Sequence, residues 1–238
     1  QMDEARKCYD SILELFPGNI RAKQGLAKLS QPKPDTLARG NPSDEILHQL
    51  IALYNKGEIR AVIQECERLT KEFPQSFLLW NLLGAANSAQ GKLEEAIAAF
   101  SKALLIKPDY ADAHNNMGVA LRGQGKTDEA IAAYNKALLI KPDYAETHRN
   151  LSALKKYEYS DPQIVQMGKL YADTNISDED RCHLCFALAK SSEDLGNLAE
   201  TFRYFKEGNA LRKKNLAYNI VQDEEKYAKI KETANFFK

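Results

Sequence analysis

The chain is short of the features that mark several common protein classes. No uninterrupted apolar run approaches the roughly 18 to 20 residues that cross a bilayer, and the N-terminus opens on polar helix formers where a secretory leader would be apolar. Cysteine is scarce and irregular: Cys8, Cys66, Cys182 and Cys185 follow no disulfide-framework spacing, which predicts a reducing, cytoplasmic setting. Charge of one sign is missing too. Lys plus Arg is 33 and Asp plus Glu is 33, so no overall field draws nucleic acid or an anionic membrane. An initiator Met is absent, and the chain starts inside a helical pattern, which predicts further residues upstream. What is present is 44% hydrophobic and 28% charged residues, enough to bury a continuous core and too apolar for a disordered chain.

The organising signal is a period. Pro74, Pro108 and Pro142 are 34 residues apart, and Gly91–Asn116 agrees with Gly125–Asn150 at 19 of 26 positions. A fixed period of this length predicts an all-α array of antiparallel helix pairs, an α-solenoid. From Ala111, small residues fall at Gly118 and Ala130, where two helices A and B must approach. Larger ones fall at His114, Met117, Leu121 and Tyr134, where they fill the space between units. Gly125 ends helix A, and Pro142 with Asp143 ends helix B. This pattern resembles the tetratricopeptide consensus. The unit from Phe77 repeats it with Trp80, Leu83, Gly84, Gly91, Ala96, Phe100 and Pro108, and a divergent unit runs from Ser43 through Leu50, Gly57, Val62, Cys66 and Pro74.

Around this core the sequence predicts four segments. Residues 1–30 hold partial repeat helices, with Ala5, Tyr9, Ile12 and Pro17 matching the second half of a unit; 31–42 is a proline-rich linker. Residues 43–156 carry three consecutive units plus a further helix A, and 157–238 a degenerate helical region. At Tyr157–Pro162 the turn and helix B are replaced, so the array is expected to be interrupted there. Asp161 with Pro162, and Ser177 with Asp178, Glu179 and Asp180, read as new helix starts. Leu188, Ala189, Phe202 and Phe205 take plausible core places of a degenerate unit. A last helix from about Asp223, with Tyr227, Ile230, Ala234 and Phe237 on one face, is expected to cap the array or dock, and Phe236 with Phe237 favours docking.

Two motifs hint at chemistry and yield to simpler readings. Gly125-Lys126-Thr127 after Leu121-Arg122-Gly123-Gln124 is one glycine short of a phosphate loop, yet it joins two helices where such a loop follows a strand. Cys182-His183-Leu184-Cys185 has zinc-like spacing without a second pair of ligands, so buried structural thiols are expected. His48, His114 and His148 share repeat positions and form no catalytic cluster. No cofactor, no metal site and no catalytic centre is therefore expected.

The remaining candidate is the concave face. Tetratricopeptide arrays build it from helix A, and here it would present Asn81, Asn115, Asn116, Arg122, Arg149, Asn150 and Lys156 to an extended protein segment. The amides can donate to and accept from a peptide backbone, while the three cations would bias the groove toward acidic sequences. Asn116 and Asn150 resemble the asparagine ladder of O-linked N-acetylglucosamine transferases, with Leu82 breaking it one unit earlier. Beyond the repeats, Asp161-Pro-Gln-Ile, the run from Ser177 to Lys190, Glu193-Asp-Leu-Gly and Glu207-Gly-Asn-Ala-Leu-Arg-Lys-Lys resemble the helical segment of bacterial tetratricopeptide sulfotransferases. That resemblance implies a substrate-presenting region ahead of a catalytic domain using 3'-phosphoadenosine 5'-phosphosulfate, whose phosphate loop this chain lacks. A free-standing adaptor or scaffold is the alternative.

Overall fold

The computed structural model describes residues 40–216, and among them it contains ten α-helices and no strand. The chain divides between Gln90 and Gly91 into two compact units. The first contains α1 (Asp44–Asn55), α2 (Ile59–Glu72) and α3 (Phe77–Ala89). Ser43 and Ser76 cap α1 and α3 by accepting from the backbone N–H groups of Ile46 and Leu79. Ser76 also donates to Asn41 at 2.8 Å, tying the end of the proline-rich stretch to the start of α3. Leu50, Val62, Cys66, Leu69 and Leu79 form the interior. Burial pushes the Cys66 thiol up to about 12, which makes it a packing group without reactivity.

The second unit holds α4 (Leu93–Ile106), α5 (Ala111–Gly123), α6 (Thr127–Ile140), α7 (Ala145–Ser152), α8 (Pro162–Ala172), α9 (Asp178–Asp194) and α10 (Leu198–Asn215). These are helix pairs stacked in chain order, an α-solenoid architecture. Gly125, at φ +77, makes the left-handed turn between α5 and α6 that other residues adopt reluctantly. Gly118 is fixed by a different constraint: a Cβ there would meet the Tyr134 ring at 2.6 Å. Tyr134, wholly buried, packs with Leu121, Ala130, Ala133 and Leu151 in one core cluster. Burying each such large side chain stabilises by roughly 1.5–3 kcal/mol.

The expected interruption after Tyr157 takes a different form. Helix α8 begins 35 residues after α6, at Pro162 against Thr127, so a second helix returns in near register. What shortens is the first helix of that pair, since α7 stops at Ser152. Tyr159 stands where the period would place a turn glycine, and Tyr157 is drawn inward to 2% exposure. The Tyr157 N–H donates to Asp194 Oδ2 at 3.1 Å, and Lys155 pairs with Asp161 while lying over the Tyr157 ring. The chain leaves the helix to deliver Tyr157 to a second core with Ala145, Met167, Leu184, Ala187 and Leu188.

Asp161 and Ser177 cap α8 and α9 as the sequence predicts. Leu188 and Ala189 are buried, but Phe202 and Phe205 are not core residues: they are 71% and 37% exposed, and α10 turns Thr201 and Gly208 inward. The smaller side chains face α9 because the helices approach closely there, with a Cβ on Gly208 only 3.0 Å from Cys185. Glu207 pins the pair to α8 by accepting from Tyr171 Oη at 2.5 Å and Arg181 Nε at 2.6 Å. No described helix is long and apolar enough to cross a membrane. The partial repeat expected at 1–30, most of the linker and the Phe236–Phe237 helix lie outside the described residues.

Candidate functional site

Helix caps and turns consume the groups that mimic chemistry in the sequence. In the near phosphate loop, the N–H groups of Gln124, Gly125 and Lys126 donate to the carbonyls of Ala120, Arg122 and Leu121, and Thr127 N–H donates to Gly125. The amides that would cradle a phosphate close the turn instead. Cys182 and Cys185 are buried, the former donating to Gly208 O at 3.4 Å, and burial raises Cys185 to about 12. Between them, His183 Nδ1 accepts from Arg149, and burial holds the imidazole below its ordinary pKa. Among the described residues no group of three potential metal ligands gathers.

The histidines show what a repeat position does. His114 Nε2 donates to Pro108 O at 3.0 Å and His148 Nε2 to Pro142 O at 2.9 Å; in the first unit Trp80 Nε1 donates to Pro74 O at 2.9 Å. All three ring N–H groups sit six residues after the proline and satisfy a carbonyl two residues beyond the preceding helix, in the turn that leads to the next. His148 Nδ1 also accepts from Gln163 Nε2, so one neutral tautomer satisfies both bonds.

The surface shared by α5, α7 and α9 in the second unit carries most of the expected binding residues. Asn116 and Asn150 are half-buried and Arg122 is exposed. Asn115 departs from expectation: it has no exposed surface, and its Oδ1 accepts from Thr147 Oγ1 at 3.0 Å and Asn150 Nδ2 at 3.1 Å. It faces the neighbouring helix because its position on α5 points at α7, not into the open. Arg149 is half-buried, with its guanidinium 5.2 Å from the Phe186 ring centroid and Nη1 3.4 Å from His183. Lys156 is exposed but off any helix, since α7 ends before it, and its charge lies near Asp194. Asn81 is half-buried on α3 of the first unit.

Acidic groups gather at the helix starts: Asp112 on α5, Glu146 on α7, and Asp178, Glu179 and Asp180 on α9. Asp112 hydrogen-bonds the phenols of Tyr110 and Tyr144; burial first, then that carboxylate, raises both, Tyr110 to about 12. A feature sequence reasoning missed lies between α4 and α6, over α5: a groove of about 990 Å³ lined by Leu104, Met117 and Ala133 among others. Leu105 and Leu139 on it are 84% and 83% exposed. The available signal was leucine in both near copies at a position facing water.

Comparison with known proteins places this geometry. Residues 84–125 match the model of a TPR repeat and 111–144 that of the tetratricopeptide repeat, so the chain carries such repeats. No curated protein matches. Among solved structures, a thermophilic TPR protein of Thermus thermophilus is 21% identical, covering 72% of this chain and 92% of its own, with a TM-score of 0.53. A putative kinesin light chain of Podospora anserina with nearly identical TPR-like repeats is 14% identical, covering 71% and 94%, with a TM-score of 0.52. These likenesses establish the helical-repeat fold.

Proposed function

We propose that the chain is a protein-binding module whose second unit holds an extended segment against α5 and α7. The observation that carries this reading is the Asn115–Thr147–Asn150 bond set: a buried amide fixes an accessible one, so Asn150 turns its NH2 inward and its carbonyl outward. A surface amide held in one orientation is preorganised to accept from a peptide N–H at little entropic cost. Asn116, Arg122 and Arg149 complete the contact set, with Asn81 serving the first unit at the repeat position that Arg149 takes in the second. Asn115 supports the site from beneath, and Lys156 falls outside it. Arg122 and Arg149 favour acidic segments, engaged away from the carboxylates at the helix starts.

The test is a peptide-array screen with extended acidic sequences. Asn116→Ala with Asn150→Ala should weaken binders roughly five- to a hundred-fold, as two neutral hydrogen bonds imply. Arg149→Glu should act through salt-sensitive association. Binders indifferent to all these changes would move the site elsewhere.

The same reading includes a larger setting, in which the module presents substrates to a sulfotransferase domain, supported by the resemblance of residues 161–214. A free-standing adaptor is equally compatible with the repeats. The coding sequence downstream of Lys238 separates the two: a sulfate-donor phosphate loop supports the first, and another continuation or a stop supports the second.

A further inference from the structure

Among the described residues, Arg149 is a half-buried cation without a carboxylate partner. Its guanidinium lies 5.2 Å from the Phe186 ring centroid, and its Nη1 is 3.4 Å from His183 Nδ1; neither group is an anion. Elsewhere in this unit the half-buried Lys155, Arg181 and Lys190 each hold a carboxylate, of Asp161, Glu207 and Asp194. A cationic side chain leaves water readily only when an opposite charge compensates it, so Arg149 is prepared for a carboxylate from outside the chain. His183 stands 34 residues after Arg149, as Arg149 does after Asn115, so the three share one repeat position on α5, α7 and α9. A guanidinium has no acceptor, so in this bond Nδ1 is bare and Nε2 carries the proton. A proton added at Nδ1 turns the acceptor into a donor and sets two cations side by side. A carboxylate between them would accept from both.

We propose that Arg149 and His183 together bind one carboxylate of an acidic segment, and that His183 takes up a proton from solvent at Nδ1 as it does so. This site rests on the binding surface proposed for α5 and α7 and gives it a ligand group and a pH dependence. The charges facing the imidazole are Glu146 and Arg149 from α7 and Glu179 and Asp180 from its own helix, while Arg212 of α10 acts on the neighbouring Cys182. Helix α8 meets the other side of α9, through Tyr171 and Arg181, about 200° around the helix from His183. Burial first, and Arg149 with it, keep the free imidazole neutral against the pull of Glu146. An arriving carboxylate adds to that pull and reverses the preference.

Calorimetry of the full chain at pH 7.5 and 6.0 tests this, with acetylated, amidated hexaglutamate as the probe and hexaglutamine as the reference. Hexaglutamate should bind at least about three-fold tighter at pH 6.0, with fractional proton uptake read from buffers of different ionisation heat. An NMR titration, which needs no variant, should place the His183 pKa higher in the complex than in the free chain. His183→Gln should remove both the uptake and the pH dependence, and Arg149→Gln should weaken binding at both pH values. Equal binding at the two pH values without proton uptake would overturn the proposal and leave the binding surface of α5 and α7 in place. Hexaglutamate that fails to bind, beside array peptides that bind and are weakened by Asn150→Ala, would overturn it in the same way. Failure of every peptide would remove both.

Discussion

The Tyr134 hydroxyl is buried without a hydrogen-bond partner, and so is that of Tyr157. An unmet polar group offsets part of what ring burial contributes, so Tyr134→Phe should leave stability unchanged or raise it by up to about 1 kcal/mol in urea unfolding. A loss above that would reveal a partner for the hydroxyl. Gly118 gives the opposite case. Alanine there pushes a Cβ to 2.6 Å from the same ring, so Gly118→Ala should cost about 1–3 kcal/mol although alanine favours helix. His148 supplies a pH dependence. Burial holds it below the ordinary 6.5, opposed by its bond to Pro142. The folded state thus prefers neutral imidazole, and the stability this confers is complete above pH 6.5. It is lost as pH falls from there through the depressed folded value, at no more than about 1.4 kcal/mol per pH unit. Thermal melts between pH 7.5 and 5 should show that decline together with the one that His183 adds with the same sign; His148→Gln should reduce the slope, and His148→Gln with His183→Gln should flatten it.

Among the elements, α8 to α10 depend on one carboxylate. Glu207 accepts from Tyr171 and Arg181, and Arg181 also donates to Tyr171 O at 3.1 Å. The pair is about 30% exposed, so screening limits its worth; Glu207→Gln should cost about 1 kcal/mol in urea unfolding, and a loss near zero would show the network to be ornamental. Helices α4 to α6 were legible in the sequence because proline, glycine and small residues recur at one spacing, each with a local mechanical role. The length of α7 was not. Its shortening comes from Tyr157 finding a core built by Met167 and Leu184, residues far ahead in the chain that no local pattern connects to it. The exposure of Phe202 and Phe205 was hidden for the same reason, since burial of an aromatic at a core spacing depends on the helix packed against it, and among the described residues none covers that side of α10. Asn115 and Asn116 look alike in sequence; one lies wholly inside and the other at the surface, because a single residue rotates the side chain by about 100° around the helix.

For the whole molecule, 33 positive against 33 negative side chains give a sequence pI near 7.1. With no net charge to keep copies apart, turbidity at low salt should be greatest near pH 7 and fall by pH 8.5; solubility independent of pH would contradict this. A different consequence follows from the ring clamp at each proline. Donor and acceptor, His114 with Pro108 or His148 with Pro142, are six residues apart and so travel together in any stretch of gene that is copied. The turn glycine and the small residues beneath the aromatic rings recur at the same interval. Unequal crossing-over between the DNA encoding Gly91–Asn116 and Gly125–Asn150 would add or remove 34 residues in frame and join Gln90 to Gly125 or Gln124 to Gly91. Every local bond is then rebuilt at the junction, so such alleles of unequal length inherit intact turns and clamps, and the repeat number is free to drift under selection for reach.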